Sequence, residues 1–472
     1  MKAIVEEDDG VRPLVHFYIL YFMYIRPKKN WRAIAGTAIA VFLLLGLSRS
    51  ALAETPRITF YEHIAPILEG HCLGCHRPHE MAPMSLIKYE EVRPWAKAIK
   101  REVVAKRMPP FRADGPIGLW RDDPRLNEDQ IAMISSWVDS GAPRGSIQRL
   151  RETRTRKVRQ WPQGEPDLII PFRSYVTPGD GEDQHVYLLT EFTFDQEIWV
   201  DSIQWRNSNR RILHHASLHV LFMPQRDADV FHGLPRDFNV LTVNREISTP
   251  LPMSLYLPGS KFYTYPAKRA LRFTKNTSLL ILAHYAPTDQ PETDVVELGL
   301  MFADGTYLEL PYDAREMESA LQVTKNSKRE IRDMLNIPPH AQNYSLKAER
   351  LVTEDLLLWG ALAHMHLRGK SYSVSAYFPD ETHRSLFRVS NYSFDWQQFY
   401  RFVEPMMLPK GTRLEYEWVW DNSASNALNP DPDAWVRYGR RSYDEMAGGG
   451  IMVTPLQEHG DLIEVSKGTR RR

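Results

Sequence analysis

Cys72-Leu73-Gly74-Cys75-His76 is the segment with the clearest chemical potential. In C-x-x-C-H two thiols can add to the vinyl groups of a haem while the adjacent imidazole coordinates the iron. The same pair could act as a redox dithiol or as half of a zinc site. Cys72 and Cys75 are the only cysteines in 472 residues, so nothing completes a zinc site and a disulfide framework is excluded. The adjacent His favours covalent haem c. A second set of residues suits a transition metal. Of sixteen histidines, five stand in or beside apolar runs: His214 and His215 within 212–222, His284 near the end of 279–285, and His364 and His366 just after 357–363. One such histidine alone reads as a hydrogen-bonded, half-buried side chain; five together point to metal. Imidazole suits copper, zinc or iron, and a thioether partner selects copper. Residues two apart on a strand face the same side, so His364 and His366 can converge on one ion. His214 and His215 alternate, and sharing an ion requires a bulge or a strong twist.

These residues need elements to position them. Around the cysteines the sequence predicts short helices. Thr59 with Glu62 makes a capping box, and Phe60, Ile64, Ile67 and Leu68 form one face leading into the motif. Pro66 is expected to kink that helix. Val92, Trp95, Ile99 and Val103 mark a second helix. A third starts at Asn127 and Gln130, carries Ile131, Ile134 and Val138, and stops at Gly141 and Pro143. Between Arg144 and Lys157 a basic stretch with Arg149, Arg151, Arg154 and Arg156 reads as a solvated linker. From Pro166 onward short β-type runs (197–203, 279–285, 357–363, 414–420) are separated by Pro, Gly and Asn turns. About 290 residues of this kind suggest two β-sandwiches.

Composition sets the outer bounds. Hydrophobic residues make up 43% and charged residues 25%, ordinary globular values that exclude a disordered or fibrous chain. Lys plus Arg and Asp plus Glu number 59 each, which leaves no bulk charge for nucleic acid. Residues 1–53 read as an export signal: the cations Arg26, Lys28, Lys29 and Arg32, the apolar run 33–47, and the cleavage site Ala51-Leu52-Ala53. The run is shorter than the ~20 residues of a membrane span, so cleavage is favoured over an uncleaved anchor, and a periplasmic or otherwise exported location is expected. Glu6, Glu7, Asp8 and Asp9 do not fit a basic leader, which makes Met23 a candidate start.

Three short helices around C-x-x-C-H resemble a small all-α class I cytochrome c. That resemblance implies one covalent haem c on Cys72, Cys75 and His76, with a methionine on the other face of the iron. Met108, in Met108-Pro109-Pro110, resembles the axial-ligand loop of small bacterial cytochromes; Met84 and Met81 are rivals, and His79 lies too close to the attachment site. Over roughly 166–460 the order HH…H…HxH…M resembles the copper type II monooxygenases, the class of peptidylglycine hydroxylating monooxygenase and dopamine β-monooxygenase. The family implies two all-β jelly-roll sandwich domains, each holding one copper. His214, His215 and His284 resemble its electron-handling set. His364 and His366, with Met446 in Asp444-Glu445-Met446, resemble its dioxygen-activating set. The whole chain is similar to bacterial proteins in which a cytochrome c domain precedes such a pair, most closely at 82–86, 93–99 and 366–370.

The chain also departs from the family. Leu362 stands where peptide-amidating members carry an Arg, and Gly448 and Gly450 where they carry Asn and Tyr, so a peptide-terminal glycine is not the expected substrate. Leu282 stands where Gln is frequent, and His219 competes as a substitute ligand on the first-copper strand. The expected organisation is a leader (1–53), a cytochrome c domain (54–145), a basic linker (146–165), two β-sandwiches (166–325 and 326–460) and a flexible tail (461–472). The expected function is hydroxylation of a C–H bond of a small molecule by dioxygen. Electrons from an upstream donor would pass through the haem to the copper pair, entering at His214, His215 and His284. The alternative is a non-catalytic electron-transfer or copper-binding protein. A di-haem peroxidase relative is disfavoured by the single C-x-x-C-H.

Overall fold

The capping and apolar signals before residue 145 produce helices, with two changes of detail. A π-turn at Phe60–Ile64 runs into α1 (Ala65–His71), followed by α2 (Tyr89–Val92), a 3-10 turn at Arg93–Trp95, α3 (Ala96–Val104) and α4 (Glu128–Asp139). Pro66 does not kink a continuous helix. It falls in the first turn of α1, where its missing N–H has no partner to lose. Trp95 leaves the expected apolar face and is 45% exposed, because the 3-10 turn rotates it away from Val92, Ile99 and Val103. The start of α4 is as expected: Asn127 Oδ1 accepts from Gln130 N at 2.8 Å and Gln130 Oε1 accepts from Asn127 N at 2.9 Å. Phe60, Ile64, Leu68, Val92, Ile99, Ile134 and Trp137 share one core.

The computed structural model describes residues 57–472 apart from 79–81, 147–160, 162, 236–253, 258–261, 266–268, 287, 310–319, 440, 457–462 and 466–472. The expected leader with Met23, the rival ligand Met81, His79, most of the basic linker and most of the tail therefore lie outside the described residues. Residues 58–472 form one compact unit. No helix among the described residues is long and apolar enough to cross a membrane.

After residue 166 the chain is β, and the runs read from the sequence fall on strands. β1 (Leu168–Pro171), β2 (Gln184–Leu189), β3 (Ile198–Asn207), β4 (Leu213–Leu221), β5 (Ser254–Tyr256), β6 (Phe262–Thr264), β7 (Arg269–Phe273), β8 (Ser278–Tyr285), β9 (Val296–Phe302) and β10 (Gly305–Glu309) come first. They are followed by β11 (Leu321–Lys325), β12 (Tyr344–Val352), β13 (Leu356–His364), β14 (Gly369–Tyr377), β15 (His383–Val389), β16 (Phe399–Leu408), β17 (Arg413–Trp420), β18 (Gly448–Pro455) and β19 (Ile463–Val465). The first group makes a sheet of order β1-β9-β3-β7-β10-β19, with β6 on β3, and a second of order β2-β8-β4-β5. Ile203 and Leu298 from the first and Leu218 and Ile281 from the second share one core, so the two sheets pack as layers. The second group repeats the arrangement with sheets β11-β12-β17-β14-β15 and β16-β13-β18, around Val374, Trp420, Leu358 and Val453.

Residues 111–125 tie the helical region to this second β unit. Trp120 stacks on Phe402 at 4.4 Å between centroids, and Phe111 meets Tyr400 edge-on at 5.1 Å. Arg121 N donates to Arg401 O at 2.8 Å, Val403 N donates to Leu119 O at 3.0 Å, and Arg401 pairs with Asp122 at 2.6 Å. Trp120 and Ala113 are members of the core of that β unit.

Candidate metal centres

Three of the expected histidines meet at one end of the β2-β8-β4 sheet. β4 and β8 pair antiparallel with His215 opposite His284, and the register slips between Leu213 and His215. That slip is the bulge which adjacency required, and His214 is the extra residue. His214 Nδ1 and His215 Nδ1 are 3.1 Å apart, and His215 Nδ1 and His284 Nδ1 are 3.3 Å apart. Two nitrogens each about 2.0 Å from one ion, at tetrahedral or trigonal angles, are separated by about 3.3–3.5 Å. The ring planes cross at 63°, 73° and 69° in the three pairs, so their lone pairs can aim at a common point. Burial first, and the neighbouring histidines second, hold His214 and His215 below the usual imidazole range. They are neutral and have no proton to shed before ligating.

A fourth histidine went unread in the sequence. His185 sits opposite His284 on β2, and His185, His215 and His284 place their ring nitrogens within 4.8 Å of one another. Distance alone would make these three the ligands. The planes argue otherwise: His185 lies over His284 at 4.0 Å with an interplanar angle of 8°. Two parallel rings share no plane in which one ion could meet both lone pairs, so His185 acts here as a stacking wall for His284. Asp183 Oδ1 lies 3.5 Å from His284 Nε2, a buried nitrogen without a hydrogen bond, on the side away from Nδ1. The available signal was an imidazole beside the apolar run 186–189, the context that singled out the other histidines. His219 is not a substitute ligand in this geometry. It pairs with Leu280, four residues and roughly 13 Å along β4 from His215, and bonds Ser217 Oγ at 3.0 Å.

The second pair is built at the end of β13. His364 and His366 face the same side with ring centroids 5.4 Å apart and planes at 84°. His364 Nδ1 donates to Gln397 Oε1 at 2.6 Å and His366 Nδ1 donates to Asp444 O at 3.2 Å, which puts both lone pairs on Nε2. Met365 between them is pinned by Tyr392, whose hydroxyl accepts from Met365 N at 2.9 Å and donates to Met365 O at 2.5 Å. Glu445 fixes the other side. Its fully buried carboxylate accepts from His366 N at 2.9 Å, Arg368 N at 2.7 Å, Trp420 Nε1 at 2.9 Å and Met446 N at 3.3 Å. Burial pushes the Glu445 carboxyl up to about 7 against those donors. Half-buried Met446 is therefore held by the same group that holds His366. Gly448 lies opposite His364, and a Cβ there would come 2.6 Å from the ring.

The two clusters face each other across the β units. His364 is among the groups that depress His215, and the Asp395 charge reaches His214. Phe399 and Trp359 of the second unit pack against the core of the first.

In the helical region, α1 delivers Cys72 to a turn in which Cys75 N and His76 N both donate to Cys72 O, at 3.1 and 3.0 Å. Both thiols are free and half-buried. Burial pushes Cys72 up to about 12, the reverse of the lowered thiol that a redox dithiol needs. His76 Nδ1 donates to Met84 O at 3.3 Å, which leaves the lone pair on Nε2. Two thiols and an oriented imidazole fit the donor set of a c-type haem. Among the described methionines, Met84 packs against the core holding Cys72, whereas Met108 is 43% exposed beyond α3.

No protein family and no curated protein matches the chain. Among solved structures it is weakly similar to a two-domain protein of unknown function from Bacteroides fragilis, at 10% identity over 50% of this chain and 78% of that one, with a TM-score of 0.16. Allantoicase matches at 10% identity over 53% and 83%, with a TM-score of 0.14. The infectious bursal disease virus VP2 subviral particle matches at 12% identity over 61% and 71%, also with a TM-score of 0.14. Likenesses at these scores carry no argument about this chain.

Proposed function

We propose that the protein is an exported copper monooxygenase with its own c-type haem, hydroxylating a C–H bond of a small molecule. The observation that carries this reading is the convergence of three Nδ1 atoms on a β-bulge, facing a second histidine pair that presents Nε2. His214, His215 and His284 would hold one copper; His364, His366 and Met446 would hold the other. Cys72, Cys75 and His76 would hold the haem, with Met108 or Met84 as its second axial ligand. When bound, these groups supply one-electron storage and dioxygen chemistry, which the chain's own side chains cannot. The chain's residues orient the ligands: Gln397 and the Asp444 carbonyl set the tautomers of the second pair, Asp183 and His185 back His284, and Gly448 leaves His364 its place. In this reading the layered units are jelly-roll sandwiches and the helices a class I cytochrome c.

Metal and haem content per purified chain tests the proposal. One haem and two coppers are expected, with a mass above that of the chain from Glu54 by one haem. X-ray absorption of the reduced protein should contain one copper–sulfur contact, lost in Met446→Ala. Stoichiometric zinc held against added copper would contradict it. A non-catalytic electron carrier would bind the same groups yet consume no dioxygen with any C–H substrate.

A further inference from the structure

The face of β13 that carries His364 continues two residues back to Leu362, about 6–7 Å along the strand. Directly opposite residues of paired strands share a face. Leu362 is opposite Phe399 on one side and Gly450 on the other, just as His364 is opposite Gly448. The two glycines differ in what lies above them. At Gly448 the His364 ring fills the space, whereas a Cβ added at Gly450 meets nothing within 4 Å. Open volume therefore lies beside His364, over an apolar floor of Leu362 and Phe399.

The loop before β16 walls this volume. Phe394 meets the His366 ring edge-on at 6.0 Å between centroids, and Gln397 bonds His364. Between them Trp396 keeps its indole N–H buried without a hydrogen-bond partner. A buried, unpaired donor is unfavourable unless a ligand completes it. The charged neighbours of the two histidine clusters are carboxylates: Asp395 faces His214, and Asp183 lies 3.5 Å from His284. An anion entering between the clusters meets repulsion from both.

We propose that the space over Gly450, bounded by Leu362, Phe399, Phe394 and Trp396, is the substrate site, and that it takes a small neutral apolar molecule with one hydrogen-bond acceptor. This rests on the monooxygenase reading for its chemistry, since it places a C–H bond beside His364. Binding itself needs no metal.

Saturation-transfer NMR on the full chain, reduced under argon, tests it with three probes: toluene, 4-methoxytoluene and 4-methylbenzoate. The neutral probes should bind, and 4-methylbenzoate should bind about tenfold or more weakly than 4-methoxytoluene. Gly450→Phe fills the space and should abolish binding of both neutral probes. Trp396→Phe should weaken 4-methoxytoluene about tenfold and leave toluene unchanged, the mark of a lost hydrogen bond rather than lost packing. Leu362→Lys should turn the preference toward 4-methylbenzoate, which keeps the test decisive if Gly450→Phe does not fold. Failure of the neutral probes to bind, equal binding of the carboxylate, or indifference to these substitutions overturns the proposal. Copper and haem assayed on the same sample report separately on the functional reading.

Discussion

At the scale of single residues, the two histidine sites depend on groups that never touch an ion. Asp183 is the clearest at the first site. Replacing it with Ala leaves His284 Nε2 without its carboxylate neighbour and should lower copper affinity there by about 10–100-fold, read by competition with a chelator. Asp183→Asn should restore part of it. At the second site Glu445→Gln sets an amide NH2 against four N–H donors. The expected loss is about 1–3 kcal/mol in denaturant unfolding, together with loss of the copper–sulfur contact in X-ray absorption. An intact contact would mean that Met446 is placed without Glu445. The histidines were legible in the sequence because each sits beside an apolar run. Glu445 and His185 were not, since their meaning lies in a pairing register and a fourfold acceptor role that no spacing along the chain encodes.

At the scale of elements, the bulge in β4 explains why the HH motif works. Without it His214 would face away from His215 and His284. The sequence stated the requirement but could not locate the slip, which depends on how β8 pairs. The end of β8 is anchored one residue past His284, where the Tyr285 hydroxyl donates to Asp294 at 3.3 Å. Asp294 also accepts from Asn209 N at 2.8 Å and Ser208 Oγ at 3.0 Å, in the turn leading to β4. Burial raises its carboxyl above the ordinary 3.8 despite these donors. The folded state thus binds more protons than the unfolded chain over that interval. Stability should fall as pH rises from about 4 through the raised value, then level off. In Asp294→Asn this component of the slope should vanish from urea melts taken across pH. A parallel pair of curves would show that Asp294 ionises alike folded and unfolded. The Pro66 outcome has the same character: composition marked a break, and only the preceding π-turn decided that the break would be a helix start.

At the scale of the whole molecule, the helical region is built into the second β unit by residues 111–125. Trp120 fills its core, so Trp120→Ala should cost about 3–5 kcal/mol, visible as earlier unfolding of the β region and not of the helices alone. Unchanged β-region stability would argue that the berth closes without it. The sequence hid this union, because Phe111, Trp120 and Arg121 fall between helices in a stretch without periodicity. The same segment has a further consequence. β16 is the outer strand of its sheet, and the backbone around Trp120 supplies hydrogen bonds to its open side at Arg401 and Val403. An uncovered outer strand is a template for pairing with another chain. A fragment starting at residue 166 would expose that margin and the vacant berth of Trp120 together. It should self-associate at concentrations where the full chain stays monodisperse, as light scattering would detect, and a peptide spanning 109–125 added in trans should suppress the association.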